Sequence, residues 1–298
     1  MRRGPWSKRG KSAMDESQME SSGAAGCIAQ GNLPSRRRFF LLRSPYRDIL
    51  QFILLIAALI WLMSLSTSRL GYRWEWFRVP RYILRVAEGK LTTGPLLQGL
   101  GLTLKISGIS LVLAFAVGLI TALLRISDSA VGRALARLYL EVIRNTPLLV
   151  QLFFIYFILA PILGLERFLS AVLALSLFEG AYASEIFRAG IISIHKGQWQ
   201  ASYSLGLSLG DTYRFVILPQ AVRRILPPLT SQAVSLVKDS ALVSMVSLTD
   251  LTLQAGIVVS ETYLTFEIWF TTAAIYLLIT VVLSTIVNRM EKRFRIMT

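Results

Sequence analysis

The feature that most restricts this chain is a succession of long apolar runs. Hydrocarbon offers no water to an exposed backbone N–H or C=O, so a run of about 18 or more apolar residues reads as a helix crossing a bilayer. Six can be threaded, over residues 49–66, 101–124, 148–165, 169–194, 229–259 and 269–287. The fourth carries Glu179, Glu185 and Arg188, and the fifth is interrupted by Lys238, Asp239 and Asp250. Composition agrees: 54% of the residues are hydrophobic and 16% charged, where a soluble domain has about 45–50% and 25%. The sequence predicts an all-α integral membrane protein with six such helices. An ordinary water-soluble enzyme is excluded.

Charge then orients the spans. The chain has 32 Lys and Arg against 17 Asp and Glu, a net +15. In a soluble protein that excess would point to nucleic acid; in a membrane protein it marks loops that stay in the cytoplasm. Threading from a cytoplasmic N-terminus places Arg125, Arg133, Arg137, Arg144, Lys196, Arg214, Arg223 and Arg224 inside, together with Arg289, Lys292, Arg293 and Arg295 near the C-terminus. Both termini are therefore expected in the cytoplasm. Residues 1–48 read as a disordered basic tail with no signal peptide, and 49–66 as a first helix. Residues 99–290 form the expected five-helix core with a loop at 195–228, and 291–298 the cytoplasmic end. Segment 67–98 conflicts with the charge rule, since it should lie outside yet holds Arg69, Arg73, Arg78, Arg81, Arg85 and Lys90. With Trp74, Trp76, Phe77 and Tyr82 alongside, an amphipathic helix on the outer membrane surface would reconcile it.

Ala114, Gly118 and Ala122 on one span, and Ser176, Gly180 and Ser184 on another, recur every four residues. Such stripes let helix backbones approach closely in lipid. One cysteine, Cys27, and one histidine, His195, leave no disulfide framework and no multi-histidine metal site, so no cofactor is expected.

The most informative segment is polar. Gly197-Gln198-Trp199-Gln200-Ala201-Ser202-Tyr203-Ser204-Leu205-Gly206 predicts a short helix ended by Gly206 in a left-handed conformation. Ser208 and Asp211 then form a capping box that starts a second helix, with Leu209, Tyr213 and Val216 as its apolar stripe and Pro219 to end or bend it. Two short helices of this kind suit docking better than catalysis.

These residues resemble a known family, the membrane-spanning permease subunits of ABC importers for polar amino acids of the histidine, glutamine, glutamate and arginine type. The family pattern is Glu-Ala-Ala, three residues, Gly, nine residues, then Ile-x-Leu-Pro. Here Gln200-Ala201-Ser202, Gly206 and Val216-Ile217-Leu218-Pro219 keep both spacings, with Gln200, Ser202 and Val216 as departures. Gly99-Leu100 with Thr103-Leu104, Arg144 through Leu152, Gly180 through Tyr182, Ser184 through Ile191, Ser193 through Trp199, and Leu236 through Ser240 extend the likeness over residues 95–295. The resemblance implies a type I importer bundle whose coupling helix, with Gly197, Gln200, Ala201, Ser202, Gly206, Leu218 and Pro219, meets a dimer of ATP-binding subunits. It also implies a second permease subunit, identical or a sister chain, and an extracytoplasmic binding protein that delivers the amino acid. ATP would be hydrolysed in the partner, consistent with the lack of a Gly-x-x-x-x-Gly-Lys-Ser/Thr loop here. The bacterial inner membrane is the implied location.

Substrate-path candidates are Glu179, Tyr182, Glu185, Lys238 and Asp239. An isolated charge at mid-span costs about 2.5–3.5 kcal/mol on insertion scales, so Glu179 faces protein or an aqueous path, as a structural carboxyl or a substrate contact. Glu185 lies three residues before Arg188 and reads first as its ion-pair partner. The competing function is a stand-alone secondary amino-acid transporter, which would need internal repeats and broken midplane helices.

Overall fold

The computed structural model describes residues 45–70, 72–87 and 90–294. The chain divides into two units, Met1–Tyr72 and Arg73–Thr298. In the first, helix α1 (Pro45–Leu70) is longer at both ends than the run at 49–66, and begins within the expected tail. Its exposed side chains include Phe52, Leu54, Leu59 and Trp61, as a lipid-facing helix requires. The rest of the tail, residues 1–44, lies outside the described residues, as do residues 295–298.

The second unit opens with a strap rather than the amphipathic helix expected over 67–98. A 3₁₀ turn (Trp76–Arg78) leads to the one-turn α2 (Pro80–Ile83), and strands β1 (Leu84–Ala87) and β2 (Lys90–Thr93) pair antiparallel, with Leu84 opposite Thr93. Arg78, Arg81 and Arg85 are thus split among three elements. Pro80 can only begin a helix, and Val86, Thr92 and Thr93 favour a pleated strand. Arg78 pairs at 2.5 Å with Glu75, which lifts the guanidinium above its ordinary range.

Helix α3 (Pro95–Ile126) follows, then α4 (Ala130–Arg144), α5 (Leu148–Phe153), α6 (Ala160–Leu163) and α7 (Arg167–Ile192). After α7 come α8 (Lys196–Ser204), α9 (Leu209–Asp211), α10 (Leu218–Asp239), a 3₁₀ turn (Ser240–Val246), α11 (Leu251–Thr262) and α12 (Thr265–Phe294). Among the described residues, three helices, α3, α7 and α12, are long and apolar enough to cross a membrane alone. Two bent pairs, α4 with α5–α6 at 107° and α9–α10 with α11 at 51°, raise the count to five if each is one span.

The strap seals one end of this bundle. Trp74 and Trp76 stack at 5.9 Å, and both rings lean on Phe270 of α12 at 6.5 Å. The Glu75 N–H donates to the buried Glu267 Oε1 at 2.7 Å. At the centre, α3 and α7 cross on the two small-residue stripes. A Cβ on Gly118 would lie 2.8 Å from the Ala183 Cβ and 2.9 Å from the Gly180 oxygen, so only hydrogen fits. The Ser176 hydroxyl donates to Val172 O at 2.5 Å and approaches Ser110 O at 3.4 Å. Of these two, only the approach to Ser110 O crosses between the helices, and an interhelical bond in a membrane is worth about 0.6 kcal/mol, so close backbone packing carries most of the crossing.

The sharp corner between α4 and α5 is built by the Arg144–Gln151 block. Gln151 Nε2 donates to Ile143 O at 2.7 Å and Thr146 O at 3.0 Å, while Asn145 Nδ2 donates to Glu141 O at 2.8 Å. Pro147 caps the new helix. Four further prolines sit inside continuous helix, Pro227 and Pro228 within α10 and two that follow widened turns. Residues Phe154–Leu159 and Thr212–Ile217 each form a π turn, and each is followed two residues later by a proline, Pro161 and Pro219. A proline ring collides with the carbonyl four residues back, and a widened turn moves that carbonyl aside. Of the two expectations for Pro219, ending the helix or bending it, the first does not hold; α10 runs on past it.

Candidate functional site

Three groups of residues concern function, and α7 carries residues of two of them. The first is the coupling segment. His195 caps α8, its Nδ1 accepting the Gly197 N–H at 3.0 Å. Ser202 is buried and donates to Gln198 O at 2.7 Å, whereas Gln200 and Ala201 are exposed. Gly206 has φ +76°, the left-handed value predicted, with its N–H on Tyr203 O at 3.0 Å. Ser208 Oγ accepts the Asp211 N–H at 3.1 Å, as the capping box requires.

Trp199 packs edge-on against Tyr213 at 5.0 Å, and Gln220 Nε2 reaches Gln198 Oε1 at 3.3 Å, which ties α8 to the start of α10. Arg224 then donates to Ser193 O at 2.5 Å, at the end of α7. Leu218 and Pro219 are exposed, as is Leu209, which leaves Tyr213 and Val216 as the packed part of the expected stripe. Leu205, 80% exposed, and Phe215, 63% exposed, are, like Leu209, open apolar side chains of this segment, which the motif did not disclose.

The second group lies inside the bundle. Glu179 is 1% exposed on α7 and accepts a hydrogen bond from Gln232 Nε2 of α10. The Asp239 carboxyl is its other polar neighbour, and Glu179 Oε1 has no hydrogen-bond donor among the described residues. Lys238, adjacent in sequence, is exposed and takes no part.

The third group gathers the remaining candidates elsewhere. Glu185 lies 2.5 Å from Arg125, 3.2 Å from Arg144 and 3.1 Å from Arg188. The expected Arg188 pair forms, but two further arginines from α3 and α4 join it. Tyr182 belongs here rather than with Glu179: Arg144 sits 5.9 Å above its ring, and both line a cavity of about 330 Å³ with Glu185. The structure thus separates the path candidates into Glu179 with Asp239, and Tyr182 with Glu185. Gln232, which no motif singled out, completes the first set.

Comparison with known proteins agrees with this architecture. Residues 114–296 match the family described as binding-protein-dependent transport system inner membrane component. The chain is 39% identical to the glutamine transport system permease protein GlnP of Escherichia coli (strain K12) over 205 residues, 68% of this chain and 94% of that one. It is 38% identical to the probable amino-acid ABC transporter permease protein YckA of Bacillus subtilis (strain 168), over 66% of this chain and 88% of that one. An amino acid ABC transporter crystallised with histidines contains a chain that superposes with a TM-score of 0.63 at 39% identity, covering 67% of this chain and 94% of that one. The inward-facing MetNI methionine ABC transporter shares the fold, with a TM-score of 0.59 at 19% identity over 68% of this chain and 97% of that one.

The chain belongs to the family of binding-protein-dependent inner membrane transport components. It is a multi-pass permease subunit with the type I ABC importer fold, and ATP is hydrolysed in a separate subunit of the complex.

Proposed function

We propose that this permease moves a polar amino acid inward, handed to it by an extracytoplasmic binding protein, in a complex with two ATP-binding subunits and a second permease chain. The names of the relatives support the cargo class. The tail and α8 lie in the cytoplasm on this reading, and so does the end of α12, which carries Arg289 and Lys292. The strap lies outside.

Geometry supports a route for coupling. The exposed Leu205, Leu209 and Phe215 of the segment around Gly206 receive the ATP-binding subunit. Motion imposed on α8 passes through the Trp199–Tyr213 and Gln198–Gln220 contacts to α10. Gln232 and Asp239 ride on α10, while Glu179 rides on α7, so a shift between these helices opens the buried carboxylate to substrate. Glu179 then accepts the α-ammonium group that every amino acid carries, in surroundings where charge pairing is stronger than in water. The single observation behind this role is the buried Glu179 Oε1, for which the described residues supply no donor.

The test is ATP-driven uptake in vesicles reconstituted with the whole complex, normalised to assembled protein. Glu179→Gln should lower uptake by about tenfold or more, equivalent to roughly 1.4 kcal/mol or more of lost stabilisation. Basal ATP hydrolysis should be retained. Unchanged uptake would make Glu179 a structural carboxyl. Gly206→Val, which forces a β-branched side chain into a left-handed conformation, should weaken co-purification of the ATP-binding subunit while the permease still inserts.

A further inference from the structure

Two cavities, of about 330 and 340 Å³, share Arg125 and Arg137 where α3, α4 and α7 meet. The second is lined by Arg125, Arg133, Arg137 and Arg188 with Ile126 and Ile192, and no carboxylate is among these residues. Its four guanidinium groups are not equivalent. Arg125 and Arg188 share Glu185 at 2.5 and 3.1 Å, and that carboxylate also holds Arg144. Arg133 gives one N–H to Ser127 O at 2.7 Å, and Arg137 makes no hydrogen bond or ion pair among the described residues. Glu141, which lines the first cavity beside Arg137, is engaged by Asn145 Nδ2 at 2.9 Å. Arg133 and Arg137 thus face the second cavity with no carboxylate paired to either among the described residues.

A cleft lined by one sign of charge concentrates ions of the other sign. Arg133 and Arg137 stand one turn apart on α4, which sets their Cβ atoms about 5–6 Å from each other. Two guanidinium forks at that spacing can close on one tetrahedral oxyanion, each donating to its oxygens in pairs. The exposed apolar residues of α4, Val131, Leu135, Leu138 and Val142, lie on the opposite flank of the helix and line neither cavity. An acyl chain has no wall to follow here, so the anion is a soluble one. We propose that the second cavity binds a small soluble phosphate, held by Arg133 and Arg137. The volume is at the lower end of small-molecule sites and admits a small phosphate monoester as well as inorganic phosphate. On the orientation proposed above, the cavity opens to the cytoplasm at the end of α7 from which α8 follows. Bound phosphate would tie α4 to the ends of α3 and α7 where coupling begins. The site is separate from Glu179, so it stands or falls independently of the role given to that carboxylate.

Equilibrium dialysis of radiolabelled inorganic phosphate against the complete purified complex gives the test, with the ATP sites filled by a non-hydrolysable ATP analogue. The complex should bind phosphate saturably, one per permease chain, with sulfate competing and acetate not. Arg137→Gln should weaken this binding roughly tenfold or more, and Arg133→Gln with Arg137→Gln should remove it. Arg133→Lys with Arg137→Lys should recover part of the affinity, since an ammonium keeps the charge and loses the fork. Both arginines lie outside the Glu185 pairings, so the thermal midpoint without phosphate should be the same in all variants, which separates binding from folding. Equal binding by wild type and the double Gln variant would overturn the proposal. So would displacement of phosphate by phosphatidylglycerol but not by sulfate, which would assign the arginines to a lipid headgroup. No binding to the complete complex, the result if an acidic surface of the ATP-binding subunit covers the arginines, would equally overturn it.

Discussion

Glu179 and Glu185 stand six residues apart on α7, and their surroundings could hardly differ more. Glu185 is half-buried at the helix end and meets three guanidinium groups within 3.2 Å. Glu179 is sealed inside the bundle with one amide donor, a second carboxyl beside it and no donor for its Oε1 among the described residues. A carboxylate saturated with cations contributes to the structure and has nothing left to offer a ligand. One left short of donors destabilises its own surroundings and gains most when a cation arrives. On a helix of about 3.6 residues per turn, six residues are enough to send two like groups to opposite tasks.

Three substitutions break or sharpen this contrast. Glu185→Gln should have the largest effect on stability. It removes the carboxylate that Arg125, Arg144 and Arg188 share, and should lower the stability of the purified complex by about 2–3 kcal/mol. Thermal unfolding in detergent measures this, and a native-like midpoint would show that the cluster is not a structural hub. Glu179→Gln should move the midpoint little, because an amide of the same shape replaces the buried carboxyl and Gln232 keeps an acceptor. A large fall would erase the contrast and make both carboxylates structural. Arg144→Gln should have the smallest effect, about 0.5–1 kcal/mol, because two arginines still hold Glu185 and Arg144 is the most exposed of the three.

Local rules found much of this in the sequence. The Ala114–Gly118–Ala122 and Ser176–Gly180–Ser184 stripes were legible as packing faces, because small residues at a spacing of four have one physical use in lipid. That they mate with each other required the fold. Gly206 and the Ser208–Asp211 cap were legible because each solves a problem of backbone geometry within a few residues. Glu185 with Arg188 was visible at three residues' separation, whereas Arg144 and Arg125 lie 41 and 60 residues away and carry no local trace. Gln232, 53 residues from Glu179, was hidden for the same reason. The strap departs from the amphipathic helix because basic and aromatic residues suit a membrane surface in any backbone conformation. Pro80 and the β-branched residues that follow argued for turns and strands.

The π turn ahead of Pro219 bears on how the coupling motif keeps its length. A π turn holds one residue more than an α turn at nearly the same angular advance, so the nine residues between Gly206 and Val216 bring α10 out at the phase of a segment one residue shorter. Residue count and rotation are thereby uncoupled at this point. Deleting one residue within Thr212–Ile217 would leave Gln232 on the face that meets Glu179, provided Pro219 were replaced as well, since the closed turn has no room for its ring. The same deletion between Pro219 and Gln232 would swing every later side chain of α10 by about 100° and turn Gln232 and Asp239 away from α7. Pro227 and Pro228 lie further along α10 with no such turn before them, so the spare residue at Thr212–Ile217 is a matter of phase, setting which face of α10 meets α7.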